Sequence, residues 1–325
     1  MKTFLKKSLS IAGAMALSLS ASAYDNLYIF GDSLSDTGNA KVFSGNANNP
    51  AFPTRFSNGP VAVDVLASAY GLTATPSLFL LGQELGNNYA VGGAIAIDAD
   101  GDENTPDTNL PTQVNAYLAN NGFSADADTL YAVIIGGNDL FAAQGIRATS
   151  VSEASGKTRQ DIRKASEARV TLAVDSIELQ LEKLIVAGAQ NILVGNAPDI
   201  AAVPSTDGTV AGLLALADDH QETKRAEKMY KYSSKLSAQF NRELAAAVAR
   251  LEASYGIDII EWDLASFLSN QIDDADVLGY TNTEDSCQAN GDLPVCEGYV
   301  FVDGVHPTTV VHQRAGAQVI GLVAQ

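Results

Sequence analysis

Three features of the sequence predict an α/β domain built on a parallel sheet covered on both faces. Short apolar runs with β-branched character alternate with longer helix-like segments. The runs are nearly continuous in apolar residues, as strands buried on both faces are. Three of them in succession end in Gly-containing turns that carry polar residues.

The expected strands are 27–30, 89–91, 130–135, 191–194 and 257–260. Between them, 60–70, 111–120, 159–187 and about 223–255 read as helices. Ala187-Gly188-Ala189 and Tyr255-Gly256 read as helix C-caps that pass directly into strands, because Gly tolerates the left-handed turn that closes a helix. The 223–255 segment mixes charges with Ala and Leu amphipathically and reads as a packing helix. Loops 36–58, 98–110 and 271–304 are rich in Gly, Asn, Asp and Pro, and loops of such length are usually either functional or mobile. No linker, repeat or low-complexity tract divides the chain, so a single domain over 24–325 is expected.

The chain has 325 residues, of which 46% are hydrophobic, enough for a large core and too many for a disordered polymer. Its 20 Lys and Arg against 38 Asp and Glu give a charge of −18, which opposes phosphate backbones and anionic membranes. Nucleic-acid binding is therefore not expected. Residues 1–23 combine Lys2, Lys6 and Lys7, an apolar stretch and Ala21-Ser22-Ala23, the pattern of a secretory signal peptide. The apolar stretch is shorter than the ~20 residues a membrane span needs. Its removal leaves 17 cations against 38 acids, a charge of −21. No other segment is long enough to span a bilayer, so a secreted or periplasmic protein, acting as a monomer, is expected. In such a compartment Cys287 and Cys296 favour a disulfide over free thiols, and a loop of that size is worth roughly 3 kcal/mol. The two cysteines alone make no zinc set.

Ligands of open α/β sheets bind beyond the carboxyl ends of the strands. There the sequence places Gly31-Asp32-Ser33-Leu34-Ser35, Gly92-Gly93 and Gly136-Gly137-Asn138-Asp139. A serine nucleophile needs a base, and the chain has three histidines. His306 stands apart, because Asp303-Gly304-Val305-His306-Pro307 sets a carboxylate three residues before it, within reach of Nδ1. His220 and His312 read as solvent-facing. Singly, each turn has an ordinary reading as a helix N-cap or strand end. Asp98, Asp100, Asp102 and Asn104 alternate as in a calcium loop, but Glu103 and Asn109 stand where Gly and Glu are required, which favours a solvated acidic loop. No metal and no cofactor are expected.

Gly31-Asp32-Ser33-Leu34-Ser35-Asp36-Thr37-Gly38, Asn88-Tyr89-Ala90-Val91-Gly92-Gly93-Ala94, Gly136-Gly137-Asn138-Asp139 and Asp303-Gly304-Val305-His306-Pro307 together resemble the four ordered blocks of the GDSL, or SGNH, hydrolase family. The resemblance spans nearly all of the chain after residue 23. It implies a flavodoxin-like three-layer α/β/α sandwich with a five-stranded, mostly parallel sheet, and ester hydrolysis through an acyl-enzyme. It implies Ser33 as nucleophile, His306 as general base and then acid, and Asp303 as orienting group. It further implies an oxyanion hole of the Ser33 N–H, the Gly93 N–H and the Asn138 amide, with Gly93 chosen over Gly92 by its spacing from Asn88. The Gly-x-Ser-x-Gly elbow and the His-Glu-x-x-His zinc motif are both absent.

The leading expectation is a secreted serine esterase acting on lipid, lysophospholipid or choline-type short-chain esters, the acidic surface favouring a cationic alcohol such as choline. A carbohydrate acetylesterase and a non-catalytic binding protein on the same fold are the alternatives.

Overall fold

The computed structural model describes residues 24–45, 54–82, 85–98, 107–149 and 156–325. Residues 1–23, read above as a signal peptide, and most of the acidic 98–104 stretch lie outside them.

Strands β1 (Asn26–Gly31), β2 (Thr129–Ile134), β3 (Asn191–Gly195) and β4 (Ile259–Trp262) form a parallel sheet in that order. Their side chains alternate between two cores, as a period of two requires. Phe30, Tyr131, Val133, Ile192 and Val194 face one core. Leu27, Ile29, Leu130, Ala132, Ile134, Leu193 and Trp262 face the other. The helices Leu110–Asn120, Arg159–Ala187 and Met229–Tyr255 supply residues to the first core. Ala62–Ala69, Leu264–Asp273 and Thr309–Val323 supply residues to the second. The result is the α/β/α sandwich the sequence predicts, with β2 buried along its whole length.

The expected strand at 89–91 takes a less regular form. The Ile29 N–H donates to the Asn87 carbonyl, and the Tyr89 and Val91 N–H groups donate to the Ile29 and Gly31 carbonyls. This is a parallel run along the free edge of β1. On its outer side the Asn88 N–H donates to the Thr75 carbonyl and the Ser77 N–H to the Asn88 carbonyl, while the Ala90 N–H turns to Asn88 Oδ1 at 2.9 Å. The sheet therefore has four regular strands and an edge segment in the fifth position. With that segment counted, the order is 2-1-3-4-5, a doubly wound arrangement whose functional crevice lies where the order reverses.

Other boundaries follow local chemistry. Thr158 and Asp161 cap the long helix Arg159–Ala187 reciprocally, and Gly188 closes it at φ +120°. The expected 223–255 helix is two, His220–Glu227 and Met229–Tyr255, interrupted at Lys228, where the Lys228 N–H bonds to the Arg225 carbonyl in a tightened last turn. The segment 271–304, expected as a loop, contains a second parallel ladder of β5 (Asn282–Ser286) and β6 (Tyr299–Phe301). The Cys287–Cys296 disulfide staples it, with the two sulfurs buried against Val302. Among the described residues no helix is long and apolar enough to cross a membrane.

Candidate active site

The three expected triad residues meet at the carboxyl end of the sheet, although 273 positions separate Ser33 from His306. Ser33 follows β1 and is 7% exposed. The structure has a tight turn at this point rather than a helix start. The Ser35 and Asp36 N–H groups both bond to the Asp32 carbonyl, and the Leu34 N–H bonds to Asp32 Oδ1. The first helix begins only at Asn39. A short peptide turn, not a helix dipole, therefore presents the Ser33 N–H.

His306 Nε2 lies 2.7 Å from Ser33 Oγ. On the other side of the ring, Nδ1 lies 2.7 Å from Asp303 Oδ2 and 2.9 Å from Oδ1. The same Oδ1 accepts the Val305 and His306 N–H groups, each at 2.8 Å, so one carboxylate shapes the loop and orients the ring. The His306 carbonyl accepts the Val302 N–H, and the Gly304 carbonyl accepts the Ser205 N–H, which pins the loop at both ends. The last helix starts two residues after Pro307, at Thr309. Burial pushes the Asp303 carboxyl up, but its bonds to the His306 ring and to the two N–H groups outweigh burial and leave it below the usual aspartate range. Asp303 is thus ionised wherever His306 needs a partner.

The segment after the edge strand is tied down at almost every N–H. Gly92 donates to Asp36 Oδ2 at 2.8 Å, Ala94 to the Val91 carbonyl, Ile95 to Asn109 Oδ1 and Ala96 to Asp139 Oδ2. The Gly93 N–H makes no hydrogen bond among the described residues, and neither does the Ser33 N–H. Gly92 is spent on Asp36, which favours the choice of Gly93 on physical grounds. Gly93 sits at φ +84°, where a side chain would be strained. At Gly92 a Cβ would come within 2.2 Å of the Phe56 ring, whose other neighbour is the His306 imidazole with centroids 5.2 Å apart. Asn138, in the first turn of the helix Gly137–Ala148, gives one amide hydrogen to the Ala94 carbonyl at 2.9 Å and retains its second.

Two buried carboxylates that the sequence reading assigned no role hold this frame. Asp36 accepts four N–H groups, from Gly38, Asn39, Ala40 and Gly92. Asp139 pairs with Arg169 at 2.8 Å while it accepts from Ala96. Burial raises both above the usual range against these donors. Both residues stood in the quoted blocks, but their partners come from distant segments.

Asp32 is also fully buried. Desolvation pushes it up to about 6, against the Leu34 N–H and the nearby His306, with Asp139 adding to the rise. The folded state therefore binds more protons than the unfolded chain between about pH 4 and 6, and stability falls as pH rises through that window. The ionised form costs about 3 kcal/mol near neutral pH. Asp32→Asn is expected to gain stability relative to the parent at pH 7.5 and to lose that relative gain by pH 4.5, as read by thermal unfolding across pH. A difference independent of pH would count against a protonation role.

An enclosed, mostly apolar pocket opens beside Ser33 and Asn138. Ile134, Phe141, Val203, Trp262, Phe267 and Leu268 give its walls their character, and Val311 and Ala315 of the last helix close one side. Among the described residues no Lys, Arg or Glu lines it, and Asp32 is its one acidic residue. His312, expected to face solvent, lines this pocket instead and is 4% exposed. It lies on the same stripe as Val311, Ala315 and Val319, so the helical period carries it inward. His220, at the first turn of its helix, is exposed as expected. No cluster of metal-ligating side chains occurs among the described residues.

Residues 27–319 match the family model described as GDSL-like Lipase/Acylhydrolase. Among curated proteins, "Lipase 1" of Photorhabdus luminescens is 32% identical over 62% of this chain, which spans only 27% of that protein's length. "Phosphatidylcholine-sterol acyltransferase" of Aeromonas hydrophila is 24% identical over 93% of this chain and 92% of its own. "Acetylajmalan esterase 2" of Rauvolfia serpentina is 27% identical, with 90% and 88% covered.

Proposed function

The chain belongs to the GDSL-like lipase/acylhydrolase family, whose members act on carboxylic esters, and from that premise we propose that it hydrolyses such esters through an acyl-enzyme on Ser33. His306 Nε2 takes the Ser33 proton as Oγ attacks the ester carbonyl carbon. The oxyanion accepts from the Ser33 and Gly93 N–H groups and from the Asn138 amide. Asp303 keeps the ring in the tautomer with its proton on Nδ1 and stabilises the imidazolium. The imidazolium then gives its proton to the departing alcohol, leaving an ester between Ser33 and the acyl group. Water, deprotonated by His306, attacks that ester, and Oγ recovers its proton.

The observation that carries this reading is the bridge of His306 between Ser33 Oγ and Asp303, beside two N–H groups that have no other bond among the described residues. Donors fixed before reaction cost no reorganisation when the oxyanion forms, which is why such sites accelerate acyl transfer. The apolar pocket supports an acyl group with a hydrocarbon chain over the acetyl group of a carbohydrate ester. The disulfide fits an exported protein, as the reading of residues 1–23 requires.

A fluorophosphonate probe with mass mapping tests the assignment: it labels Ser33 and abolishes turnover. Intact turnover with Ser33 unlabelled would remove the esterase reading. Across p-nitrophenyl esters from acetate to laurate, kcat/KM rises beyond acetate, whereas strict acetyl preference would favour the carbohydrate acetylesterase. Asn138→Ala lowers kcat by about 10²- to 10³-fold. Because Asn138 also holds Ala94, the unfolding midpoint of the variant is read alongside its rate, and a loss of kcat without a matching loss of stability assigns the effect to the missing oxyanion donor.

A further inference from the structure

One hollow in the surface reverses the sign of the chain. Acids outnumber cations 38 to 20 over the sequence. Yet the charged residues lining this hollow of about 240 Å³ are Arg147, Arg159, Lys224, Arg225 and Lys228, with no acid among the described residues that line it. It forms where the end of the helix Gly137–Ala148 meets the starts of Arg159–Ala187 and Met229–Tyr255 and the helix His220–Glu227. Arg147 follows Asn138 by nine residues on one helix, about 14 Å along its axis, so the hollow is separate from the oxyanion hole.

Two of the five cations have structural work. The Arg225 guanidinium donates to the Arg147, Ala148 and Thr149 carbonyls and closes the end of that helix, and Arg159 donates to Gln221 Oε1 at 3.2 Å. The other three have none of this kind: among the described residues the side chains of Arg147, Lys224 and Lys228 make no hydrogen bond or ion pair. The Arg147 guanidinium sits over the Tyr232 ring, 4.0 Å from its centroid, a contact that restrains it without using its N–H donors. Acids nearby in the chain are engaged elsewhere. Asp161 bonds Thr158, Asp219 accepts the Gln221 and Glu222 N–H groups, and Glu222 accepts the Asp218 N–H. Cations gathered in one hollow repel one another unless an anion shares it.

We propose that this hollow is a binding site for a phosphate group, carried either by a phospholipid headgroup or by a soluble phosphate. A carboxylate brings one charge and two oxygens, too few for three unpaired cations. A phosphate monoester brings about two charges and three acceptor oxygens, and two of these match the forked donors of Arg147 while the lysines take the rest. The net charge of −18 sets the field at a distance, but that field is screened beyond ~8 Å at physiological salt, so a group inside the hollow meets the hollow's own cations. The site stands apart from the esterase reading, because its readout is binding and not turnover.

The test follows amide resonances while inorganic phosphate replaces chloride at constant ionic strength. Those of residues 147–149 and 224–228 move and saturate. In Lys224→Gln/Lys228→Gln the dissociation constant rises by at least about tenfold, and Arg147→Gln weakens binding likewise. Both lysines are exposed, so the double variant keeps the parent's unfolding midpoint and its rate on p-nitrophenyl esters. The source of the phosphate is read with Ser33→Ala protein, used to keep lipid intact, and vesicles of phosphatidylcholine alone or of equal parts phosphatidylcholine and phosphatidic acid. Flotation with the second kind, lost when the two lysines are also replaced, assigns a lipid headgroup. Resonance shifts without flotation assign a soluble phosphate. Resonances of the hollow that do not respond when phosphate replaces chloride overturn the proposal, as does an affinity unchanged in both the lysine and the Arg147 variants.

Discussion

Ser33→Ala is expected to lower kcat for p-nitrophenyl esters by roughly 10⁴- to 10⁶-fold with little change in thermal stability. The size follows from what the hydroxyl does in the proposed mechanism. Without Oγ no acyl-enzyme forms, and only direct attack by water, aided by the oxyanion donors, remains. The small effect on stability follows from the surroundings. Among the described residues Ser33 Oγ bonds only His306, beside the pocket, and the turn that carries it is held by the Asp32 carbonyl and carboxylate rather than by the Ser33 side chain. Rates and unfolding midpoints of the two proteins, taken from the same preparation, check this. Turnover within tenfold of the parent, after exclusion of wild-type contamination, would mean that another group is the nucleophile.

How far the molecule was legible from its sequence depends on whether a residue's role is set by its neighbours in the chain. The sheet was readable because strands buried on both faces must be apolar throughout, as β2 and β3 are. The edge segment was less so, since Asn88 diverts the Ala90 N–H and shortens what the apolar run promised. Asp303 and His306 were readable together because three positions in a turn suffice to join them. Asp36 and Asp139 were not, because the groups they bind, the N–H of Gly92 for one and the N–H of Ala96 and the Arg169 guanidinium for the other, arrive only with the fold. The small ladder of β5 and β6 hid in a polar stretch whose order comes from the disulfide and three buried residues rather than from periodicity. His312 was a misreading with a signal available: its spacing from Ala315 and Val319 set it on the buried side of the last helix.

Asp303→Asn is the sharper probe of the base, with an expected loss of roughly 10⁴ in kcat near neutral pH. The substitution is nearly silent for the loop. The oxygen that accepts the Val305 and His306 N–H groups survives as the amide carbonyl, so the backbone around His306 keeps its path. The other oxygen becomes an NH2 that faces His306 Nδ1. Among the described residues Nδ1 has no partner but Asp303, so the amide donates to it and the ring's hydrogen moves to Nε2. That nitrogen then cannot take the proton of Ser33. A backbone carbonyl at Nδ1 would have softened the loss, and none is within bonding distance among the described residues. The stability change has its own sign. A carboxyl held below its ordinary range stabilises the fold above that range, and the contribution is lost as pH falls through the folded-state value. Asp303→Asn is therefore less stable than the parent at neutral pH, and the gap closes in acid. A kcat close to that of the parent, with the loop intact by amide exchange, would show that His306 is oriented by something other than Asp303.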